Sequence, residues 1–244
     1  MPSQPSIDSP VSCSAAEGYE RWASTYDDFP NPLLAREERY LLPRLGDVRR
    51  KRILDLACGT GRWLERLETQ GCGCGVGIDC SPAMLDVARN KCNIAGKLTQ
   101  GHCERLPFSE ETFDLAICSF ALGHISALDP FAAEVARVSR PGADLFVTDL
   151  HPKAIESGWS VGFRDRQSAV SIQVFPRQSH EVIAAFSSQG FKLVSEVSLW
   201  LGEPEQTVFA RAGKIGRFAA ASEVPAVIVF HFRRFDGSSE VWET

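Results

Sequence analysis

The sequence predicts an α/β protein with a parallel sheet and helices on both of its faces. Strand-like and helix-like segments alternate from Arg52 onward, the pattern that βαβ units impose. Within it, Ile53-Leu54-Asp55-Leu56-Ala57-Cys58-Gly59-Thr60-Gly61 reads as strand and tight turn, with Arg62-Trp63-Leu64-Glu65-Arg66-Leu67 as the helix that follows. The next strand, Gly75-Val76-Gly77-Ile78-Asp79, ends in an acid 20 residues after Gly59.

The elements follow in order. Residues 1–13 read as a disordered tip and residues 14–244 as one domain. Ala15 to Tyr26 and Leu33 to Leu42 are helical in spacing, ahead of strand Arg52 to Leu56 and helix Arg62 to Gln70. After strand Gly75 to Asp79, Ser81 and Pro82 supply a cap and a first-turn proline for helix Pro82 to Asn93. Strands Leu98 to His102 and Phe113 to Ser119 come next. Asp129 and Pro130 repeat the capping device for helix Pro130 to Val138, and Arg140-Pro141-Gly142 turns into strand Ala143 to Asp149. His180 to Gln189 is a helix, and Phe191 to Trp200 and Ala226 to Phe232 are strands. Between them, residues 151–179 carry Trp159, Phe163 and Phe175 without a clean period, and read as an inserted cover over a substrate site.

Composition narrows the function. With 44% hydrophobic and 23% charged residues, the 244-residue chain is long enough to bury a sizeable core. A net charge of −5 argues against nucleic-acid partners, and Arg49-Arg50-Lys51-Arg52 reads as a solvated strand entrance rather than a phosphate patch. No basic-then-apolar leader and no run of about 18 apolar residues is present, so the expected setting is the cytoplasm, without a membrane. The eight cysteines, seven of them between Cys58 and Cys118, are then thiols; none forms a C-x-x-C pair, and no metal centre is expected.

A strand–turn–helix of this kind presents backbone amides to a ligand. Gly59 and Gly61 permit φ > 0 and a close approach, and an acid at the spacing of Asp79 accepts hydrogen bonds from both hydroxyls of a ribose. The ligand is therefore expected to be an adenosine-type cofactor. Charge selects among these. A dinucleotide brings a pyrophosphate and wants G-x-G-x-x-G, but Leu64 stands where the third small residue belongs and Asp55 would face an anion. S-adenosylmethionine carries an ammonium and a sulfonium instead. A hydrogen bond to a charged group is worth about 1.5–3 kcal/mol, enough to favour it.

These residues, together with Gly77-Ile78-Asp79-Cys80-Ser81-Pro82-Ala83-Met84-Leu85, Glu104-Arg105-Leu106-Pro107-Phe108, Phe113-Asp114-Leu115-Ala116 and Arg137-Val138-Ser139-Arg140-Pro141-Gly142, resemble the ordered motifs of class I S-adenosylmethionine-dependent methyltransferases. The similarity is strongest to the ubiquinone/menaquinone-biosynthesis-like (type 11) small-molecule group, and runs from about Tyr19 to Pro152. The resemblance implies a Rossmann-like three-layer sandwich. Its sheet would be seven-stranded and mostly parallel, with one antiparallel strand near the edge, which suits the seven strands read above. It also implies S-adenosylmethionine as cofactor.

Candidate site residues follow from the rule that ligands bind beyond the carboxyl ends of the strands, where Asp55, Asp79, Cys103, Ser119 and Asp149 fall. Asp55 would orient the amino-acid part of the cofactor, directly or through water, or else tie the turn Ala57-Cys58-Gly59-Thr60-Gly61 together. Asp79 would hold the ribose, or cap a helix. Cys80 and Met84 would contact adenine, or only pack. His102 stands where the family usually has an acid; a neutral imidazole accepts in one tautomer only, so Glu104 or the Cys103 amide are its substitutes. Ser119 and Phe120 would lie beside the methyl group. Leu122-Gly123-His124 resembles the family's Leu-His-His with Gly123 in place of the first histidine. His124 is then the leading candidate for a substrate-side base, or a structural histidine, and His151 is a second candidate base. Tyr19 to Asp27 resembles the family's aromatic entry segment, in which Tyr26 would close over the sulfonium for about 0.5–2 kcal/mol, or pack against Trp22.

The expected activity is in-line methyl transfer to an O, N or C atom of a small aromatic or heteroaromatic molecule. The expected partner is that small-molecule acceptor, the protein acting as a monomer or homodimer. A macromolecule-directed methyltransferase, a non-catalytic cofactor-binding protein and a nicotinamide-dependent oxidoreductase are the alternatives.

Overall fold

The computed structural model describes residues 10–91, 97–165 and 168–235. In chain order its elements are β1 (Val11–Cys13), α1 (Ala15–Trp22), α2 (Pro32–Leu41), β2 (Arg52–Leu56), α3 (Arg62–Thr69), β3 (Cys74–Asp79), α4 (Pro82–Arg89), β4 (Leu98–Gln100), β5 (Phe113–Ser119), α5 (Leu128–Val138), β6 (Ser139–Leu150), α6 (Pro152–Glu156), β7 (Gly162–Arg164), β8 (Ala169–Ile172), α7 (Ser179–Ser188), β9 (Phe191–Leu199), α8 (Glu203–Arg211), α9 (Phe218–Ala221) and β10 (Val227–Arg234).

Seven strands form one sheet in the spatial order β4-β3-β2-β5-β6-β10-β9. Neighbours from β4 to β6 pair in parallel, and β10 alone runs antiparallel, against both β6 and β9. This is the expected Rossmann-like three-layer architecture. Alternation along the strands builds its two cores, because successive side chains point to opposite faces. Leu54, Leu56, Ala116, Cys118, Ile228 and Phe230 meet Phe131 and Val135 of α5 and Phe186 of α7 on one face. Ile53, Leu115, Ile117, Val227 and Val229 meet Leu41 of α2, Trp63 of α3 and Phe209 of α8 on the other.

Several elements differ from expectation. Helix α1 stops at Trp22 and tightens into a 3-10 turn over Ala23–Thr25. The expected end of the helix at Asn93 lies outside the described residues. Strand β6 begins at Ser139 rather than Ala143, so Arg140-Pro141-Gly142 is not a turn before the strand. It is absorbed in the strand through a register shift between Phe113 and Leu115 of β5, with Gly142 at φ +80°. Helix α8 was not foreseen; the Gly202 amide donates to Glu205 Oε2 at 2.9 Å to open it, and Pro204 lies in its first turn. Lastly, Val11–Cys13 belongs to no disordered tip. It pairs in parallel with β8, which pairs antiparallel with β7, making a second, three-stranded sheet out of the N-terminal strand and two strands between β6 and α7. Residues 1–9 lie outside the described residues. Among the described residues no helix is long and apolar enough to cross a membrane.

Candidate functional site

Turns at the carboxyl ends of β2, β3 and β5 surround a cavity of about 310 Å³, within the usual range for small-molecule sites. Two non-glycine residues on its wall, Ala57 (φ +52°) and Phe120 (φ +51°), hold left-handed backbone conformations at the ends of β2 and β5. Such strain costs on the order of 1–3 kcal/mol each and clusters at ligand sites. Gly59 shares that conformation at φ +52°, and a Cβ built there would meet nothing within 4 Å, so this turn offers its backbone to open space.

Asp79 is the carboxylate at the centre of the wall. Its Oδ2 accepts the Gly59 amide at 2.8 Å and its Oδ1 the Ser81 amide at 2.9 Å, so it binds the glycine turn to the start of α4. Burial raises its pKa, and the amides of Ser81, Gly59 and Cys80 oppose that shift. A carboxylate has about four acceptor sites, so these amides leave room for a ribose hydroxyl. Glu20 of α1 secures the same helix end, accepting from Ser81 Oγ at 2.8 Å and the Ala83 amide at 3.3 Å.

Below the turn lies a buried polar cluster. Glu37 of α2, fully buried, accepts hydrogen bonds from Ser119 Oγ at 2.7 Å, from the Thr148 hydroxyl and from the Arg62 guanidinium. Arg62 also donates to Ser119 Oγ at 2.9 Å. Two buried atoms here lack a hydrogen-bond partner among the described residues: Arg62 Nη1, a donor that only reaches Glu38 Oε2 at 3.8 Å, and Asp55 Oδ2, an acceptor. Burial pushes the Asp55 carboxyl up to about 8 despite the Arg62 charge.

A second chamber of about 140 Å³ adjoins the first, with Tyr19, Tyr26 and Phe120 lining both. Its far side comes from α2 (Leu33 and Leu34), from Asp149 and Leu150 at the end of β6, and from Trp159 to Gly162 of the cover segment. Trp22 stacks on Phe163 of β7 with centroids 4.9 Å apart, which fastens α1 to the small sheet. His124 sits at the junction: Nδ1 donates to the Gln173 carbonyl at 3.2 Å, and Nε2 accepts the Tyr19 hydroxyl at 3.0 Å. Burial lowers the His124 pKa and raises that of Tyr19, so both are neutral at pH 7.

Most of the residues singled out by sequence meet in the larger cavity: Tyr26, Ala57 and Gly59, then Asp79, Cys80 and Met84, then His102, Cys103, Glu104, Ser119 and Phe120, with His124 beside them. Four do not. Asp55, 2% exposed, stands behind the wall. Cys58 points into β3, where a Cβ at Gly77 would come within 2.7 Å of its Sγ, and it packs rather than lines. Gly61 starts α3 at φ +79° and acts through the backbone alone. His151 is the clear correction: its Nδ1 accepts the Lys153 amide as the cap of α6, its Nε2 meets Ser198 Oγ at 3.1 Å, and it lines neither chamber. Tyr19 and Glu37 were missed as site residues, and Asp149 was named among the strand-end candidates without a role. Tyr19 was legible as the first member of an aromatic face with Trp22 and Tyr26, and Asp149 as an acid ending a strand. Nothing local marked Glu37.

Residues 53–142 match a family model described as a methyltransferase domain. An uncharacterized methyltransferase of Emericella nidulans is 32% identical over 225 residues, covering 73% of this chain and 76% of that protein. A demethylmenaquinone methyltransferase of Tropheryma whipplei is 37% identical over 114 residues, 45% of this chain; the match spans about half (46%) of that relative's length. A crystal structure of an S-adenosylmethionine dependent methyltransferase from Mesorhizobium loti superposes with a TM-score of 0.67 at 21% identity, covering 83% of this chain and 100% of that one, a likeness of fold.

Proposed function

Since the chain belongs to the class I S-adenosylmethionine-dependent methyltransferases, whose cofactor is S-adenosylmethionine, we propose that it moves a methyl group to an O, N or C atom of a small, ring-bearing molecule. One observation carries this reading: a 140 Å³ chamber lies against the 310 Å³ cavity, with Tyr19, Tyr26 and Phe120 lining both. A nucleophile in the smaller space would face the reacting end of a nucleoside in the larger one.

The residues present fit that cofactor. Asp79 would accept from the ribose hydroxyls, and Cys80, Met84, His102, Cys103 and Glu104, which line the same cavity, would contact the adenine. Ala57 and Gly59 offer backbone to the amino-acid end. Arg62 Nη1 and Asp55 Oδ2, which lack hydrogen-bond partners among the described residues, would donate to the carboxylate and accept from the ammonium of that end, through water where the wall intervenes. Aromatic faces of Tyr19 and Tyr26 suit a sulfonium, for about 0.5–2 kcal/mol.

When bound, S-adenosylmethionine supplies an electrophilic methyl on a leaving group that needs no protonation. The chain therefore has to align and to exclude water, and orientation of this kind contributes at most roughly 7–11 kcal/mol. Residues 151–179 act as the cover, bringing Trp159 over the chamber and Phe163 onto Trp22. His124 positions Tyr19; its Nε2 is occupied, so it acts as a brace before it acts as a base. With a net charge of −5, the protein suits small cytoplasmic metabolites better than nucleic acid.

The test is to incubate the protein with methyl-labelled S-adenosylmethionine and a cell extract split by size. Label in ring-bearing small molecules is expected. Label confined to macromolecules, or none at all from a protein that binds the cofactor, contradicts the reading.

A further inference from the structure

The smaller chamber serves as the acceptor site only if the proposed function holds, and the inference here rests on that reading. Most of the chamber's walls are aromatic or aliphatic, from Trp22, Tyr26, Leu33, Leu34, Trp159 and Val161. Among the described residues its one carboxylate is Asp149, and no Lys, Arg or His lines it. Asp149 Oδ2 accepts the Gly123 amide at 2.5 Å and Oδ1 accepts its neighbour's amide, that of Leu150, at 2.6 Å. Each oxygen keeps an acceptor site, and a buried carboxylate without a cation is costly unless hydrogen bonds satisfy it. Burial moves its pKa up to about 6, so it is mainly ionised at pH 7.

Gly123 explains how the carboxylate comes to be there. A Cβ at position 123 would lie 3.3 Å from Asp149 Oδ2 and 3.7 Å from Val174 Cβ. A side chain at position 123 would therefore sit tight against the carboxylate, which would have to give by a few tenths of an ångström, and glycine leaves the approach of its amide unstrained. The chamber's size sets a further limit: about 140 Å³ is close to the roughly 150 Å³ apolar cavity that holds one benzene ring.

We infer that Asp149 is the specificity-determining residue of the acceptor site, taking a hydrogen bond from an N–H or O–H group on a single-ring acceptor and turning away ring acceptors that carry a carboxylate. An N–H or O–H donor satisfies the buried oxygens. A second anion meets repulsion with no cation on the wall to relieve it.

Ligand-observed NMR with the protein saturated in S-adenosylhomocysteine tests this with four ring probes: phenol, aniline, toluene and benzoate. Phenol and aniline are expected to bind, and benzoate not to compete with them. Asp149→Asn should weaken phenol and aniline by about tenfold or more while toluene and S-adenosylhomocysteine hold their affinities. Competition by benzoate, or unchanged phenol and aniline affinity in the variant, overturns the inference. Should Asp149→Asn lose its fold in a thermal melt, Leu34→Trp decides: it fills the chamber from the α2 side and should abolish phenol and aniline binding with S-adenosylhomocysteine retained. Probes still bound by that variant sit elsewhere, and the inference falls. Failure of the wild type to bind S-adenosylhomocysteine at all would instead defeat the proposed function.

Discussion

The Tyr19 hydroxyl donates to His124 Nε2 at 3.0 Å, joining α1 to the loop after β5 across 105 residues of chain. Tyr19 also stacks with Trp22 at 6.0 Å and meets Tyr26 edge-on at 6.1 Å, so one hydrogen bond orients the aromatic wall between the two chambers. Tyr19→Phe keeps the ring but leaves a half-buried imidazole acceptor unmade, a loss of about 1–3 kcal/mol. The expected result is a melting temperature lower by roughly 2–10 °C and a raised KM for the cofactor. Thermal melts and methyl-release kinetics check it.

Glu37 bears three partners from three elements: Arg62 of α3, Ser119 of β5 and Thr148 of β6. Removing one side of a buried, hydrogen-bonded charge pair costs about 3–5 kcal/mol. Glu37→Ala should therefore lower the melting temperature by roughly 6–20 °C, and Ser119→Ala by much less, since Arg62 and Thr148 still hold the carboxylate. Calorimetric scans of the two variants give the comparison.

Asp79→Ala removes the acceptor for the Gly59 and Ser81 amides as well as the ribose partner. A fall of tenfold or more in S-adenosylhomocysteine affinity is expected, with a stability loss of about 1–3 kcal/mol that leaves the protein folded. Isothermal calorimetry beside a denaturant titration separates the two effects.

Stability should depend on pH through two carboxyls whose folded pKa values are raised by burial, Asp55 to about 8 and Asp149 to about 6. Their unfolded value is about 3.9, so below that pH both states are protonated and the stabilisation is complete. As pH rises, the unfolded chain loses its protons first. Stability then falls, by up to ~1.4 kcal/mol per pH unit for each group, until the folded value is passed. The ligand-free protein should be more stable at pH 5 than at pH 8, and Asp55→Asn should flatten the limb between pH 6 and 8. Denaturation midpoints across pH measure this.

Much of the fold and of the larger cavity was legible because it lies in local spacing. Gly59, Gly61 and Asp79 mark a strand–turn–helix and the strand after it, and the alternation of strand-like and helix-like segments marked the parallel sheet. The strands within residues 151–179 were not legible, since β7 and β1 are three residues each and β1 pairs with β8 far along the chain. Gly18 shows why: it lets Ile172 of β8 pack on α1, where a Cβ would come within 2.6 Å of Ile172 Cγ1, a constraint with no local signature. His151 misled because position past a strand end says nothing of where a ring nitrogen finds its partner. Glu37 was hidden for a similar reason, a lone acid on a helix whose three partners are tertiary.

The central claim is that the cavity beyond β2, β3 and β5 holds the adenosyl cofactor. Calorimetric titration of the wild-type protein with S-adenosylhomocysteine tests it most directly. A saturable heat corresponding to one site per chain, absent when NADH is titrated instead, is the predicted result; no heat from a folded protein at high micromolar ligand, or saturable binding of NADH, would contradict it.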